Sequence, residues 1–161
     1  MQIEMTIKGL MVDPVTNMPI LLLRDAEGKK VLPIWVGIYE ANAIALQIEN
    51  VSTPRPMTHD LIKTLLIGLE TGVRKVVVNE LRDDTFYALI WLERNGDVIS
   101  VDSRPSDALA LALRLDCPIF VDESVLKNSK TAGSVSDRVN NEELRRWLEQ
   151  LNDEDLGRYK M

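Results

Sequence analysis

Apolar residues alternate with polar ones over the first part of the chain, and this pattern predicts strands. Residues 2–11 alternate loosely, and apolar runs follow at 18–23 and 31–36. The connections between these runs are rich in Asp, Asn, Pro and Gly and are too short for a crossover. We therefore predict three strands in an antiparallel meander.

A second group of strands is predicted further along the chain. The β-branched run 76–78 comes first, and Asn95-Gly96 then separates two β-rich segments, 85–93 and 97–102. Asn-Gly tolerates the positive φ angles of a two-residue type I′ turn, so these two segments should form a hairpin. The turn fixes the register, which pairs Leu92 with Ile99 and Ile90 with Val101.

Three segments change to the helical period of about 3.6 residues. The first carries an apolar stripe from Ala41 to Ile48 and should end at Asn50. The second should be N-capped by Thr58 and end near Gly72. The third begins at Pro105 and is apolar on so many sides that deep burial is expected. The predicted inward stripe of the second helix comprises Leu61, Ile62, Leu65, Leu66 and Leu69.

These elements predict an α+β fold, in which one domain of mainly antiparallel sheet carries three to four packed helices. We place the domain at residues 1–126, a polar linker at 127–136 and an amphipathic helical tail at 137–161. The apolar stripe of the tail is too narrow for this helix to fold alone. The tail should therefore dock on the domain or on a second copy of the chain, which would give a homodimer. That stripe comprises Leu144, Trp147, Leu148 and Leu151.

Composition narrows the classes of function. The chain has 161 residues, which suits one domain, and a net charge of −6. This balance argues against a general, charge-driven binder of nucleic acids or membrane surfaces, but it allows a local basic pocket. The single cysteine, Cys117, excludes an internal disulfide framework. We find no signal peptide and no apolar run that could span a bilayer, so we expect a cytoplasmic protein without membrane contact.

Standard catalytic motifs are absent, and the remaining polar residues gather at three points where a helix is predicted to begin. At the first junction, Glu40 and Asn42 follow a strand that ends at Gly37. Their carboxylate and amide oxygens could hold a hard cation. Alternatively, Glu40 only complements the helix dipole.

The second junction is the segment Pro54-Arg55-Pro56-Met57-Thr58-His59-Asp60. The prolines hold Arg55 in an extended segment beside a helix N-terminus, where a guanidinium and free N–H groups would bind a phosphate. His59, the only histidine, could act as a general acid or base, and Asp60 could orient it or ligate a metal. The structural alternative is a helix capped by Thr58, with Asp60 complementing the dipole and His59 on the surface.

The third junction is the segment Asp102-Ser103-Arg104-Pro105-Ser106-Asp107. Arg104 could bind a phosphate, and Asp102 or Asp107 could bind a metal. The alternative is a capped helix in which Arg104 pairs with Asp107 or with Glu40. If the three junctions converge in space, the pocket would suit metal-assisted phosphodiester chemistry.

Four blocks of the sequence resemble the bifunctional nuclease domain family, namely LPIWVG at 32–37, EANAIA at 40–45, PRPMTHDL at 54–61 and DSRPSDALAL at 102–111. The family takes its name from DNase and RNase activity in plant relatives, so the resemblance implies a nuclease. It extends over nearly the whole chain, including LRDDTFYA at 81–88. The candidate site positions at which this chain matches the family pattern are Glu40, Asn42, Arg55, His59, Asp60, Arg104 and Asp107.

Two functions follow as hypotheses. The first is a nuclease dependent on Mg²⁺ or Mn²⁺, which would bind nucleic acid weakly and only at a local site. Its residues by role are Arg55 and Arg104 for the phosphate, Glu40, Asp60 and Asp107 for the cation, His59 and Asp60 for proton transfer, and Asn42 and Asp102 as support. The second is a non-catalytic regulatory module that binds an anionic small ligand or a protein partner at the same helix starts. The acidic net charge favours the second.

Overall fold

The structure, a computed structural model, describes residues 1–129 and contains seven strands and four helices in that range. The strands are β1 (Gln2–Val12), β2 (Pro19–Asp25), β3 (Val31–Trp35), β4 (Gly72–Arg82), β5 (Thr85–Arg94), β6 (Asp97–Ser103) and β7 (Ile119–Asp122). The helices are α1 (Ile38–Ile48), α2 (Thr58–Gly68), α3 (Pro105–Leu115) and α4 (Glu123–Asn128). The predicted α+β single domain is confirmed. Helix α4 and its C-cap, Ser129, include the first three residues of the predicted linker; the rest of the linker, 130–136, and the predicted tail, 137–161, lie outside the described residues.

The seven strands form one sheet in the order β3-β2-β1-β7-β4-β5-β6. Strands β1, β2 and β3 pair antiparallel, which confirms the predicted meander. Strands β4, β5 and β6 form a second antiparallel meander. Strand β7 lies between the two groups, antiparallel to β1 and parallel to β4, and joins them into a single sheet.

Two hairpin turns in the second meander use positive φ angles. Asn95 and Gly96 have φ of 51° and 84°, and the Leu92–Ile99 and Ile90–Val101 pairs confirm the predicted register. The preceding turn, between β4 and β5, places Asp83 and Asp84 at φ of 50° and 58°. Local turn chemistry therefore fixes both connections.

Helices α1 and α3 pack on one face of the sheet, which we call the helix face. Their buried residues include several alanines, and these small side chains allow the helices to lie close to the strands. The core beneath them is formed by Val76, Val78, Ala88, Ile119 and Val121 from the central strands. Deep burial of α3, with Pro105 in its first turn, is confirmed. None of the four described helices is long and apolar enough to cross a membrane.

Helix α2 differs from the prediction at both ends. Its N-cap is Met57 rather than Thr58, because the carboxylate of Asp60 reaches back and accepts the backbone N–H of Met57 at 2.9 Å. The left-handed residue after the helix is Glu70, with φ of 53°, so Gly72 is free to begin β4.

The predicted inward stripe of α2 is wrong at three of its five positions, while Ile62 and Leu66 are partly buried. Leu61, Leu65 and Leu69 are 52%, 55% and 55% exposed, and His59 is the one residue of the helix that is fully buried. The reason is that α1 and α3 already cover the sheet, so α2 packs outside them, mainly against α3. This outer position leaves the first turn of α2 beside the starts of the other two helices.

Candidate functional site

The starts of α1, α2 and α3 meet at one cleft of about 290 Å³, which we call the three-helix cleft. Each helix begins where the chain turns from extended backbone, at Gly37, Met57 and Arg104. The side chains that line the cleft are Tyr39, Glu40, Asn42, Ala43, Leu46, Met57, Thr58, His59, Arg104 and Asp107. The three polar junctions of the sequence therefore converge.

Arg104 lies at the centre of an ion-pair network in this cleft. Its Nε donates to Asp107 Oδ2 at 2.8 Å and its Nη2 donates to Asp107 Oδ1 at 3.1 Å. The guanidinium therefore binds that carboxylate in a bidentate manner. Its Nη1 donates to Glu40 Oε1 at 2.7 Å. The arginine thus pairs with both carboxylates that the sequence alternative offered it. Its side chain is still 63% exposed, so these bonds do not bury it.

His59 is oriented by the same carboxylate. Its Nε2 lies 2.9 Å from Asp107 Oδ1, and the residue is only 8% exposed. The alternative that placed His59 on the surface is therefore wrong. Asp107 holds the imidazole and the Arg104 guanidinium at once, and the three side chains form a connected unit.

The charges of this unit follow from its contacts. Burial raises the pKa of Asp107, but hydrogen bonds from Arg104 and His59 outweigh burial and lower the pKa below its ordinary value. The pKa of Arg104 is raised by its bonds to Asp107 and to Glu40. Asp107 is therefore ionised and Arg104 is charged at neutral pH. The cleft thus brings two carboxylates and one guanidinium together beside the imidazole of His59.

A second cavity lies on the other side of the first turn of α2. It measures about 400 Å³ and is lined by Arg55, Asp60, Arg114 and neighbouring polar residues, among them Gln47, Ser52, Thr53 and Thr64. Within residues 1–129, the Arg55 guanidinium forms no ion pair. We call this the Arg55 cavity.

Arg114 connects the helices that border the two cavities, and the sequence analysis did not select this residue. Its side chain is 4% exposed; Nε donates to Asp60 Oδ1 at 2.7 Å, Nη1 to the Ala110 carbonyl at 2.9 Å and Nη2 to the Ala43 carbonyl at 3.0 Å. One guanidinium therefore joins α1, α2 and α3. A signal was present, because Arg114 stands seven residues after Asp107 and shares its helix face with the apolar Leu111. A charge on that face indicates a buried partner.

Both carboxylate oxygens of Asp60 accept hydrogen bonds that hold the helices together. Burial raises its pKa, but the Met57 N–H and the Arg114 guanidinium outweigh burial, so the pKa lies below the ordinary value. Oδ2 accepts from Met57 and Oδ1 accepts from Arg114. The structure thus places Asp60 as the group that fixes the first turn of α2.

The candidate residues from the sequence therefore divide into three sets. Those in the three-helix cleft are Glu40, Asn42, His59, Arg104 and Asp107. Arg55 and Asp60 line the Arg55 cavity. Asp102 lines neither cavity: it is exposed on β6 and pairs with Leu89, which places it on the sheet face opposite the helix face.

Tyr39 is a cleft residue that the sequence analysis did not select. It is 72% exposed and stands next to Glu40 at the start of α1. Trp35 is 45% exposed on the preceding strand, with Nε1 donating to Asp13 Oδ2 at 3.0 Å. The exposure of an aromatic residue at the rim is not encoded in a local motif, so only the packing of the helices reveals it.

The donor set can be compared with what a divalent cation requires. Within residues 1–129, no group of three or more His, Cys, Asp or Glu side chains is arranged to hold a metal ion. Glu40 and Asp107 line the cleft together, and both are bound to Arg104. Mg²⁺ is commonly held by one or two carboxylates plus substrate phosphates. Two carboxylates match the number that such a shared site needs, and both already accept hydrogen bonds from Arg104.

Comparison with known proteins gives the family. The sequence profile of the bifunctional nuclease domain matches residues 21–133. An uncharacterized protein of Mycobacterium tuberculosis is 46% identical over 123 residues, which are 76% of this chain and 73% of that protein.

Plant proteins are more distant relatives. Bifunctional nuclease 1 of Oryza sativa subsp. japonica is 28% identical over 120 residues, 73% of this chain and 36% of that protein. Bifunctional nuclease 2 of Arabidopsis thaliana is 30% identical over 107 residues, 65% of this chain and 32% of that protein. The match thus spans roughly a third of each plant protein. Because the profile covers well over half of the chain, the chain belongs to the bifunctional nuclease domain family.

Proposed function

We propose that this protein is a nuclease that hydrolyses phosphodiester bonds in DNA or RNA at the three-helix cleft. The observation that carries the proposal is the convergence of three helix starts, which brings His59, Arg104 and the carboxylates of Glu40 and Asp107 around one cleft. The family, and the names of its plant members, support a nuclease in preference to other phosphate chemistry.

Binding of the scissile phosphate would depend on Arg104. Its guanidinium is held in position by two carboxylates, which use three of its five N–H groups, and the other two would donate to a phosphate oxygen. The free N–H groups at the start of α3 would add to this attraction. The held geometry would lower the entropic cost of binding, since the side chain is already ordered.

The two carboxylates of the cleft favour a bound cation. Two carboxylates and one guanidinium would repel a phosphodiester unless a further positive charge enters with it. Glu40 and Asp107 would hold Mg²⁺ or Mn²⁺, which would neutralise charge on the phosphate. Nucleic acid would bind weakly and in a salt-dependent manner, as the acidic chain predicts.

His59 would move the proton. The ionised carboxylate of Asp107 only accepts hydrogen bonds, so Nε2 of His59 carries a hydrogen and, in the neutral ring, the lone pair lies on Nδ1. Hydrolysis adds water across a P–O bond, and Nδ1 would take the proton that the attacking water loses. Asp107 would then stabilise the imidazolium. Asp60 would act as a positioning residue, because it fixes the turn on which His59 stands.

Cleavage assays test the proposal. The purified full chain is incubated with plasmid DNA and with RNA, in Mg²⁺ or Mn²⁺ and in EDTA. We expect cleavage that requires the cation and that falls by at least about 100-fold in Asp107→Asn, because this variant weakens both the cation site and the orientation of His59. Equal trace activity in wild type and Asp107→Asn would indicate a contaminant and would refute the proposal.

A second candidate, a non-catalytic module for an anionic small ligand, is favoured by the Arg55 cavity. Arg55 lies there without an ion pair in the described part of the chain, and Asp60 is already neutralised by Arg114. A cavity with one net positive charge suits a phosphate-bearing ligand. Calorimetric titration with nucleoside monophosphates would support this function if binding is lost in Arg55→Ala and no nucleic acid is cleaved. Cleavage that is unchanged in Arg55→Ala would favour the nuclease.

A further inference from the structure

Strand β6 is an exposed edge of the sheet. Among residues 1–129 it pairs with β5 alone, and every residue from Asp97 to Asp102 is exposed. Its apolar residues Val98, Ile99 and Val101 are 44%, 54% and 41% exposed. An edge with free backbone groups and apolar side chains is a template for pairing with another strand.

The opposite edge of the sheet is protected, and the contrast is informative. Strand β3 is five residues long, has three buried residues and contains Pro33, which lacks a backbone N–H. Strand β6 is seven residues long, contains no proline and no lysine, and pairs with β5 in an unbroken register without a bulge. Of the devices that normally discourage edge pairing, β3 has short length and a proline, whereas β6 has only the charged side chains of Asp97 and Asp102.

The hairpin turn shows which backbone groups of β6 point outward. In a type I′ turn over Asn95-Gly96, the N–H of Asp97 bonds to the carbonyl of Arg94, so Asp97 directs its backbone groups toward β5. Backbone direction alternates along an antiparallel strand. The N–H and C=O groups of Val98, Ser100 and Asp102 consequently point away from the sheet.

We propose that β6 pairs antiparallel with β6 of a second copy of this chain, about a two-fold axis at Ser100. This register uses the full strand: Ser100 faces Ser100 of the second copy, and Val98 faces Asp102. All outward backbone groups are then satisfied by about six new hydrogen bonds. The partner is a second copy because β6 is complementary to itself in this register.

Side chains fit the same register on the helix face. Ile99 of each copy faces Val101 of the other at a non-hydrogen-bonded pair, where side chains are closest. The two pairs extend the apolar surface that Ile90 and Leu92 begin on β5. Half-exposed residues at the edge of one sheet thereby become interior residues of a continuous one.

Charges also select this register. Asp97 faces Ser103 of the second copy and Asp102 faces Val98, so no two carboxylates stand opposite each other. A shift that centres the pairing on Asp102 would place two carboxylates face to face, which is unfavourable. The side chains of Ser100 and Asp102 lie on the sheet face opposite the helices, whereas those of Ile99 and Val101 lie on the helix face.

The mass of the full chain in solution tests the pairing. Light scattering after size exclusion, at up to ~100 µM, where even a micromolar dimer is populated, should give twice the 18.2 kDa of one chain. Ser100→Pro removes an outward N–H, a change that edge strands tolerate, and should give a monomer with an unchanged circular dichroism spectrum. Ser100→Ala keeps that N–H and should stay dimeric.

Crosslinking tests the register, and it does so even if Ser100→Pro fails to fold. The Ser100 Cα atoms should lie about 5.5 Å apart, inside the range that a disulfide spans. Ser100→Cys should therefore form an oxidised dimer, whereas Asp97→Cys, whose Cα atoms would be roughly 20 Å apart, should not. Wild type, with Cys117 alone, gives the background.

Three results would overturn the proposal. The first is a wild-type monomer across the whole concentration range. The second is a dimer whose mass is unchanged in a folded Ser100→Pro variant, which would show that another surface makes the contact. The third is oxidative crosslinking that is as efficient at Asp97→Cys as at Ser100→Cys.

Discussion

Replacing Arg114 by methionine removes the guanidinium that joins α1, α2 and α3. The arginine side chain is 4% exposed and donates three hydrogen bonds, one of them to the carboxylate of Asp60. Methionine retains an unbranched apolar stem of similar length, so the packing around the stem is largely kept. The variant therefore isolates the contribution of the Arg114 guanidinium to the free energy of unfolding.

The expected loss of stability in Arg114→Met can be estimated from the burial of the two side chains of the ion pair. Removing one partner of a buried ion pair costs about 3–5 kcal/mol. The Asp60 side chain that remains is 36% exposed, so water solvates it in part and the lower end of that range applies. We expect the free energy of unfolding to fall by about 3 kcal/mol. For a domain of this length, Tm should fall by roughly 6–12 °C.

Urea denaturation followed by circular dichroism measures this loss, and its pH dependence identifies the cause. Burial raises the pKa of Asp60, but Met57 and Arg114 together hold it below the ordinary value of 3.8. A carboxyl with a lowered pKa in the folded state stabilises the protein above its unfolded pKa and loses that effect as the pH falls through the folded pKa. The difference between wild type and Arg114→Met should be constant above about pH 5 and narrow in more acidic solution.

The reasoning fails if Arg114→Met lowers the free energy of unfolding by less than about 1 kcal/mol, the value of a surface pair. It also fails if the difference between the two proteins grows as the pH falls. Arg114→Lys is a useful companion, since it keeps the charge but cannot donate to three acceptors at once. Its stability should lie between those of wild type and Arg114→Met.

Three further predictions concern separate features. Glu70→Gly should raise the free energy of unfolding by about 0.5–1 kcal/mol in urea denaturation, because Glu70 has φ of 53°, whereas Glu70→Ala should give no gain. Arg104→Ala should lower the free energy of unfolding by about 1 kcal/mol in urea denaturation, because its side chain is 63% exposed, and by more than Arg74→Ala, which removes only one pair, with Glu93. Asp84→Gly should stabilise the β4–β5 hairpin by about 0.5 kcal/mol, since Asp84 has φ of 58°, and a lower Tm would contradict this.

Local chemistry explains which parts of the fold the sequence could predict. The Asn95-Gly96 hairpin and its register depend on two φ angles and a residue count, so they were predicted correctly. The place of β7 depends on long-range pairing with β1 and β4, which no local pattern encodes. The two strand groups were consequently predicted, but their union into one sheet was not.

Helix α2 shows a limit of periodicity. A 3.6-residue stripe of leucines normally faces a core, and here Leu61, Leu65 and Leu69 face outward. The pattern records that the residues share a face, not what covers that face. Because α1 and α3 take the space on the sheet, α2 is left outside, and only the tertiary structure reveals this.

The candidate site was predicted as a set of junctions, but not as a geometry. His59 and Asp60 are adjacent in sequence, yet successive residues of a helix point about 100° apart. His59 therefore turns into the three-helix cleft toward Asp107, and Asp60 turns into the Arg55 cavity toward Arg114. The sequence analysis grouped both as catalytic because it had no information on which neighbour each would meet.

The most direct test of the account is the cleavage rate of His59→Gln. The glutamine Nε2 can still donate to Asp107, so the contact that holds α2 is imitated while the base at Nδ1 is lost. With Mg²⁺ or Mn²⁺ and a labelled oligonucleotide, we predict a rate at least about 100-fold below wild type, with Arg74→Ala within about twofold of wild type. A folded His59→Gln variant that cleaves at the wild-type rate would contradict the assignment of the three-helix cleft as the active site.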